Sequence, residues 1–477
     1  MIDLPPRGGH VHLIAICGVG MASLAGLLQA MDYRVTGSDQ DIYPPMSTYL
    51  AGLGIEVSSG FREAFLEDRP DLVVIGNAVT RGNPEAQAVL GTGIPYISFP
   101  QALDRFLIDA KRSIVVAGTH GKTTTTSLMA WVLSQGGIDP SFFVGGIPVN
   151  FDGGVRQGSG PWVLLEGDEY DSAFFDKGPK FLHYRPEKVV LTSVEFDHAD
   201  IYRDLDHLKS AFGKLVDLIP YHGTLLVCNR FPEAVEVARS ARCPVVFYGE
   251  GEPGSWSVKS VQSEGQRTRF EPCYKGKREG TVEISLTGRH NVENALAVYV
   301  TARELGVEPQ VIREGMGTFA GIRRRQEVLG EVGGVLVIDD FAHHPTAVGE
   351  TIAGIRAAYP ERRLWAVFEP RSHTSRRRIF EREFSRVLAG AHHVVVAGLY
   401  QPEKIPEAER LSPVAVVKEI CRLGGDERAV YLERADDIAS HVGERATSGD
   451  IILVMSNGAF GKVRGKILHI LEAKNKN

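Results

Sequence analysis

Positive charge is not in excess in this chain, cysteine is scarce, and no long apolar run occurs. The 477 residues carry 53 Lys and Arg against 59 Asp and Glu, a net charge of −6. That balance argues against a nucleic-acid binder, which needs a basic surface for phosphate contacts. The five cysteines, Cys17, Cys228, Cys243, Cys273 and Cys421, are scattered and form no C-x-x-C pair. A disulfide scaffold is thereby excluded, and free thiols in a reducing compartment fit best. With no stretch of about 20 apolar residues, no membrane span is expected. The N-terminal "MIDLPPRGGHVHLIAICGVG" lacks the basic head, apolar run and small-residue cleavage site of a secretion signal. A cytoplasmic protein is expected.

What is present is a globular α/β pattern. Hydrophobic residues make up 43% and charged residues 23%, and the length predicts about three domains rather than one core. Apolar strand-like runs alternate with amphipathic helical stretches, which favours parallel sheets. "HVHLIAI", "YRVTGSD", "DLVVIGN" and "PYISF" form one unit, ending near residue 108. A second, 109–322, opens at "RSIVVAGTHGK" and includes "WVLLEGDE", "KVVLTSVEFDH" and "GTLLVCN". Within it, glycine- and charge-rich residues 250–288 read as a small antiparallel β insertion. A third unit, 323–477, begins around "VLVIDDFAHHPT".

The stretch "VVAGTHGKTTTTSLMAWVL", residues 115–133, reads as a strand, a tight turn and a helix. It is nearly the phosphate-binding pattern G-x-x-x-x-G-K-[ST], but Val116 stands where the first glycine belongs. Gly118 would turn the backbone two residues later. A helix N-terminus at Gly121–Thr124 would aim N–H groups and the helix dipole at an anion. Lys122 would neutralise β/γ-phosphate oxygens and Thr123 could ligate Mg²⁺. Because the Lys122 side chain is expected in a polar mouth, Lys122→Ala should leave the fold largely intact.

Further on, "LLEGDEYDSAFF" ends a strand in Glu166, Asp168, Glu169 and Asp171. These carboxylates repel one another unless a cation or solvent intervenes. "VVLTSVEFDHADIY" again ends a strand in carboxylates, followed by His198, a candidate ligand of a second metal. "ICGVGMASLAGLL" with Asp39 is almost a dinucleotide fingerprint, with Ser23 in the third glycine position. Taken alone it suggests an NAD(P)-dependent oxidoreductase. In "GRHNVENA", Asn291 and Asn294 lie one helical turn apart and can face an adenine edge together. Arg325 and Asp340 are candidate phosphate and ribose partners. His343 and His344, before Pro345, are placed either to meet a ligand or to cap the next helix.

In this order, "GTHGKTT", "EGDEYD", "EFDHADIY", "GRHNVENA", "RRRQE" and "DDFAHHPT" resemble the Mur ligases of peptidoglycan synthesis along essentially the whole chain. That family has a modified P-loop without the outer glycine. The resemblance implies a UDP-sugar-binding Rossmann-like domain, a central P-loop ATPase domain with a mixed sheet, and a C-terminal Rossmann-like domain that binds the amino substrate. It reassigns the first glycine turn: Gly18, Gly20 and Met21, with Ser38, Asp39, Asn77 and Ala78, would bind the UDP-sugar and not NAD. Gly118, Thr119, His120, Gly121, Lys122, Thr123 and Thr124, with Asn291, Asn294, Arg325 and Asp340, would bind ATP. Thr123, Glu166 and His198 would hold Mg²⁺, and Lys122, Glu166 and His198 would be catalytic. His343, His344 and Arg371 would contact the peptide. Within the family, "DIYPPMSTYL", "EYDSAFFDKGPKFLHYRPE", "FEPRSHTSRRR" and "MSNGAFGKVRGKIL" resemble the branch that joins a murein tripeptide, L-Ala-γ-D-Glu-meso-diaminopimelate, to UDP-N-acetylmuramate during wall recycling. The branch adding L-alanine is the nearer alternative; its usual E-x-D-E-S-D and Q-P-H-R segments read E-G-D-E-Y-D and E-P-R-S here. "LKSAFG" offers no lysine at the spacing where several members are carbamylated, so no carbamate bridge is expected. Monomer and homo-oligomer both stay open.

Overall fold

The computed structural model describes residues 4–43, 46–249, 254–425 and 427–476. Pro44 and Pro45 of "DIYPPMSTYL", and residues 250–253 at the head of the expected insertion, lie outside the described residues. The chain forms two compact units. One comprises Met1–Glu195, Leu205–Ser257 and Ala297–Gly315; the other comprises Phe196–Asp204, Val258–Leu296 and Met316–Asn477.

The first unit contains two sheets. One is parallel, in the order Glu56–Ser59, Arg34–Asp39, His10–Ile14, Leu72–Ile75, Tyr96–Ser98. The direction of winding reverses between His10–Ile14 and Leu72–Ile75, which opens a crevice beyond the carboxyl ends of those two strands. The exposed strand Glu56–Ser59 has no clear apolar alternation and was not legible as a strand.

The other sheet runs Val245–Gly249, Thr224–Cys228, Pro186–Leu191, Arg112–Ala117, Trp162–Gly167, Ser141–Phe143, Val155–Arg156. Among these seven strands only the last pairing is antiparallel, and the sheet, which continues past Val245–Gly249 through Trp256–Glu264, is mixed as expected. Its middle strands are buried on both faces, which is why they read as continuous Val, Ile and Leu runs. Ala117 is in register with both Gly167 and Leu191. The three loops that follow these strands therefore leave the sheet side by side.

The second unit contains the sheet Glu327–Val332, Val335–Asp340, Asp450–Met455, Arg363–Phe368, His393–Ala397, Ala429–Leu432, parallel except for its first strand. Apolar clusters cover both faces, one around Ile338, Phe368 and Phe384, the other around Val337, Val367 and Ile467. Met455 is opposite both Asp340 and Phe368, so the loops after these three strands are neighbours. The antiparallel insertion is present: Arg267–Tyr274 pairs with Lys277–Arg278 and Val282–Ile284.

Candidate active site

The altered P-loop has a clear steric basis. Val116 is fully buried within the strand and pairs with Glu166 and Val190, so no turn occurs there. The turn falls at Gly118, where φ is +128°. A Cβ at this position would stand 2.3 Å from Thr192 Oγ1 and 2.7 Å from the Ser193 carbonyl, which excludes every other residue. The Thr119 N–H donates to Ser193 O (3.0 Å) and the His120 N–H to Ser193 Oγ (2.9 Å). Those two amides thus stitch the loop to the neighbouring strand end. The helix Lys122–Gln135 begins after Gly121, and its first return bond is Thr125 N–H to Gly121 O at 2.9 Å. The N–H groups of Lys122, Thr123 and Thr124 precede that bond, so they form the anion-facing end of the helix.

The four acidic residues are sorted by their partners. Glu169 receives Lys122 at 2.7 Å, and the Lys122 ammonium also donates to Gly118 O at 2.7 Å. Asp168 receives Lys180 at 3.1 Å, and Asp171 receives Lys177 at 2.6 Å. Glu166 instead accepts neutral donors, the Gly145 N–H at 2.7 Å and the Thr123 hydroxyl at 3.0 Å. Burial, reinforced by the Asp168 carboxylate, pushes the Glu166 carboxyl up to about 7. For Lys122, burial alone would lower the ammonium; the carboxylates of Glu169 and Asp168 outweigh it and raise it. Thus two lysines neutralise the inner acids, while a buried carboxylate beside a hydroxyl remains, a donor pair suited to a hard cation. Lys122 is not in an open mouth: its side chain is 13% exposed and that of Glu169 only 1%. Lys180 stands inside "EYDSAFFDKGPKFLHYRPE", but only its position after the acidic run hinted at a counter-ion.

In the second unit, His198 has a left-handed backbone, φ +52°. Its N–H points to Asp197 Oδ1 (2.7 Å) and Thr374 Oγ1 (3.2 Å), and the Thr374 hydroxyl donates to the same Asp197 oxygen. Burial would raise the Asp197 carboxyl; the imidazoles of His198, His343 and His344 and the Thr374 hydroxyl overcome that and hold it well below the usual carboxylate range. Asp197 is therefore a buried carboxylate held by the His198 N–H and the Thr374 hydroxyl, a role the sequence did not single out. His344 is buried and acts as the helix cap: its Nδ1 accepts the Thr346 N–H at 3.3 Å, and Nε2 lies 3.2 Å from Phe196 O. His343 Nδ1 is 2.9 Å from Phe341 O.

Asn291 and Asn294 share one buried helix face, as their spacing predicts, with Asn294 Nδ2 3.3 Å from Asn291 Oδ1. Asn291 donates to Thr287 O at 2.8 Å, and Gln326 donates to that same carbonyl at 3.1 Å. The Gln326 N–H in turn reaches Asp340 Oδ2 at 2.8 Å, while Asp340 Oδ1 accepts the Ala342 N–H at 2.8 Å. A continuous chain of bonds thus joins three of the expected nucleotide residues through Gln326, which sequence reasoning passed over although it stands inside "RRRQE". Asp340 holds backbone with both oxygens. Arg324 is anchored on Ser456 O and Gly458 O, and Arg325 lies over the Phe341 ring at 4.7 Å.

Arg371 stacks on the Tyr400 ring, 3.6 Å from its centroid, with Glu369 at 3.6 Å. Arg376 is buried and donates to Tyr400 O and Gln401 O, so it braces a loop. In the first sheet, Gly18 caps and Gly20 stands in the first turn of the helix Val19–Ala30 that follows His10–Ile14, and Asn77 and Ala78 lie in the exposed turn after Leu72–Ile75, on the two sides of the crevice. Asp39 fixes that turn by accepting the Cys17 N–H at 2.8 Å. Met21 packs inward, and Ser38 is fully buried, its hydroxyl held by Glu85 at 2.6 Å. Glu85 also binds His12 at 2.6 Å. Lys209, in "LKSAFG", is occupied by Asp206 and Glu236.

Among the described residues no helix is long and apolar enough to cross a membrane. Family models match three stretches: "Mur ligase family, catalytic domain" over 10–111, "Mur ligase middle domain" over 164–302, and "Mur ligase, glutamate ligase domain" over 324–458. A protein from Escherichia coli, named UDP-N-acetylmuramate–L-alanyl-γ-D-glutamyl-meso-2,6-diaminoheptandioate ligase, is 41% identical over 98% of this chain and 99% of its own. A UDP-N-acetylmuramate–L-alanine ligase from Halorhodospira halophila is 33% identical over 95% of this chain and 92% of its own. A solved murein peptide ligase from Psychrobacter arcticus is 35% identical with a TM-score of 0.72, covering 98% of this chain and 99% of that one. These matches displace the oxidoreductase reading of the first glycine turn. The chain belongs to the Mur ligase family.

Proposed function

We propose that the protein joins L-Ala-γ-D-Glu-meso-diaminopimelate to UDP-N-acetylmuramate at the expense of ATP, in the cytoplasm, during peptidoglycan recycling. What supports this choice of acceptor is the 41% identity, over nearly the whole of both chains, to a ligase bearing that substrate in its name. In the first step a lactyl carboxylate oxygen bonds to the γ-phosphorus and ADP leaves, giving an acyl phosphate. In the second, the L-alanyl amine bonds to the acyl carbon, phosphate leaves and the nitrogen gives up a proton. Such chemistry asks mainly for positioning and charge neutralisation.

The single observation that carries the phosphoryl-transfer reading is the division of labour among the acids. Lys122 is held in place by Glu169, and Glu166 faces Thr123 and pairs with no lysine among the described residues. Thr123 and Glu166 are the residues that would hold Mg²⁺, and His198 would hold a second ion on the acceptor side. Bound there, Mg²⁺ supplies positive charge against the phosphate and carboxylate oxygens. The N–H groups of Gly121, Lys122, Thr123 and Thr124 orient the phosphates, with Thr119 and His120 fixing the loop behind them. Asn291, Asn294, Arg325 and Asp340 serve the nucleotide, Asp340 by shaping the loop that carries His343 and His344. Gly18, Gly20, Asp39, Asn77 and Ala78 bind the UDP-sugar, with Met21 and Ser38 supporting the turn from below. Arg371 meets a peptide carboxylate, and His343 and His344 order that region. In working terms, residues 1–108 bind the UDP-sugar, 109–322 ATP and 323–477 the peptide. Phosphate release that requires ATP, UDP-N-acetylmuramate and tripeptide together tests the reading; release with the tripeptide omitted at an equal rate would contradict it.

A further inference from the structure

The second unit contains a cavity of about 440 Å³ that none of the roles above uses. Its walls include Tyr202, Arg203, Arg377, Arg378, Ile379 and Glu409. Three arginines and one glutamate thus line it. Arg377 is paired with Glu409 through Nη1, yet its Nε is buried and has no hydrogen-bond partner among the described residues. Arg203 and Arg378 are exposed and make no ion pair among the described residues. The surplus is two positive charges in a pocket with an apolar wall at Tyr202 and Ile379. Phe196 and Ala199 also line it, and they bracket Asp197 and His198 in the chain. The pocket is therefore built on the same loop as the histidine assigned to the acceptor side.

We propose that this cavity takes the far end of the peptide's third residue and makes the enzyme selective for diaminopimelate over lysine. The inference rests on the tripeptide reading above. Diaminopimelate ends in a carbon bearing both a carboxylate and an ammonium, carried on a short methylene stem. Arg203, Arg378 and the unpartnered Arg377 Nε fit the carboxylate; Glu409 fits the ammonium; Tyr202 and Ile379 fit the stem. Lysine has the stem and an ammonium but no terminal carboxylate, so it would leave the guanidinium surplus unanswered.

The test compares kcat/KM for three synthetic tripeptides ending in meso-diaminopimelate, L-lysine or L-2-aminopimelate, the last lacking the terminal ammonium. The parent should favour diaminopimelate over lysine by roughly tenfold or more, the scale of one charge-assisted contact. In Arg203→Ala/Arg378→Ala that ratio should fall to within about threefold, by loss of the same contacts. Arg203→Lys/Arg378→Lys should keep an intermediate ratio, which a mere folding defect would not produce. Glu409→Gln should instead collapse the preference for diaminopimelate over aminopimelate. If the parent ligates tripeptides but shows no such preference, or the double alanine variant retains it, the pocket assignment falls and the ligase reading stands. If no tripeptide is ligated by the parent, both fall.

Discussion

The Thr123 hydroxyl donates to Glu166 Oε2 at 3.0 Å, tying the first turn of the P-loop helix to the end of the adjacent strand. Glu166→Gln keeps the shape of that bond and removes a hard anionic ligand. The Mg²⁺ concentration for half-maximal ligation should rise at least tenfold, on the scale of losing one charged contact. Metal demands the ionised carboxylate, and burial holds Glu166 up to about 7. Apparent Mg²⁺ affinity of the parent should therefore climb between pH 6 and 8, in keeping with that value. The variant should show no such climb. Metal-free stability should move oppositely. The folded acid binds its proton more tightly than the unfolded one, so stability falls as pH rises from about 4.5 to 7. Its size is on the order of 3 kcal/mol, read from urea midpoints. Superimposable Mg²⁺ titrations of parent and variant would remove Glu166 from the metal site.

Lys122→Ala should abolish ligation and also destabilise the fold, contrary to the expectation from the sequence. The Glu169 carboxylate, 1% exposed, would lose its ammonium partner, a change that costs about 3–5 kcal/mol when a buried pair is broken. Lys122→Met/Glu169→Gln removes both charges and should recover most of that stability while remaining inactive. Thermal unfolding and phosphate release on the same samples separate the two effects. A stable, active Lys122→Ala protein would contradict the pairing and the phosphate role alike.

Thr374→Val removes the hydroxyl that Asp197 and the His198 N–H share. The buried Asp197 oxygen would lose one donor, a cost of about 1–3 kcal/mol, and the loop Phe196–Asp204 would loosen. Turnover should fall by about fivefold to a hundredfold, converting that range at about 1.4 kcal/mol per decade. The KM for ATP should change little, because the P-loop contacts are untouched. A rise in KM for ATP equal to the fall in turnover would mean that Thr374 acts on nucleotide binding instead.

Much of this was legible in the sequence, for physical reasons that differ by residue. Strands buried on both faces, such as Arg112–Ala117, announce themselves as apolar runs. Gly118 marks the turn because only glycine accepts its φ of +128° so close to Thr192 and Ser193. The i, i+3 spacing of Asn291 and Asn294 reports a shared helix face. What stayed hidden depends on partners distant in the chain. Nothing near Ser38 says that its hydroxyl donates to Glu85, which His12 holds in turn. Nothing near Asp197 announces Thr374, 177 residues away. Arg376 and Arg377 look alike in "SRRR", but one is a buried loop brace and the other lines a cavity.

The most direct test of the proposed activity is competition between the tripeptide and free L-alanine for UDP-N-acetylmuramate, with both products read by mass. Both acceptors offer an L-alanyl amine, so intrinsic reactivity hardly separates them and discrimination must come from remote contacts. Two good arginine–carboxylate contacts would favour the tripeptide by about 10²–10⁴ in kcat/KM, and Arg371→Ala should erode that ratio. L-alanine ligated as efficiently as the tripeptide would place the chain with the alanine-adding members of the family and contradict the account.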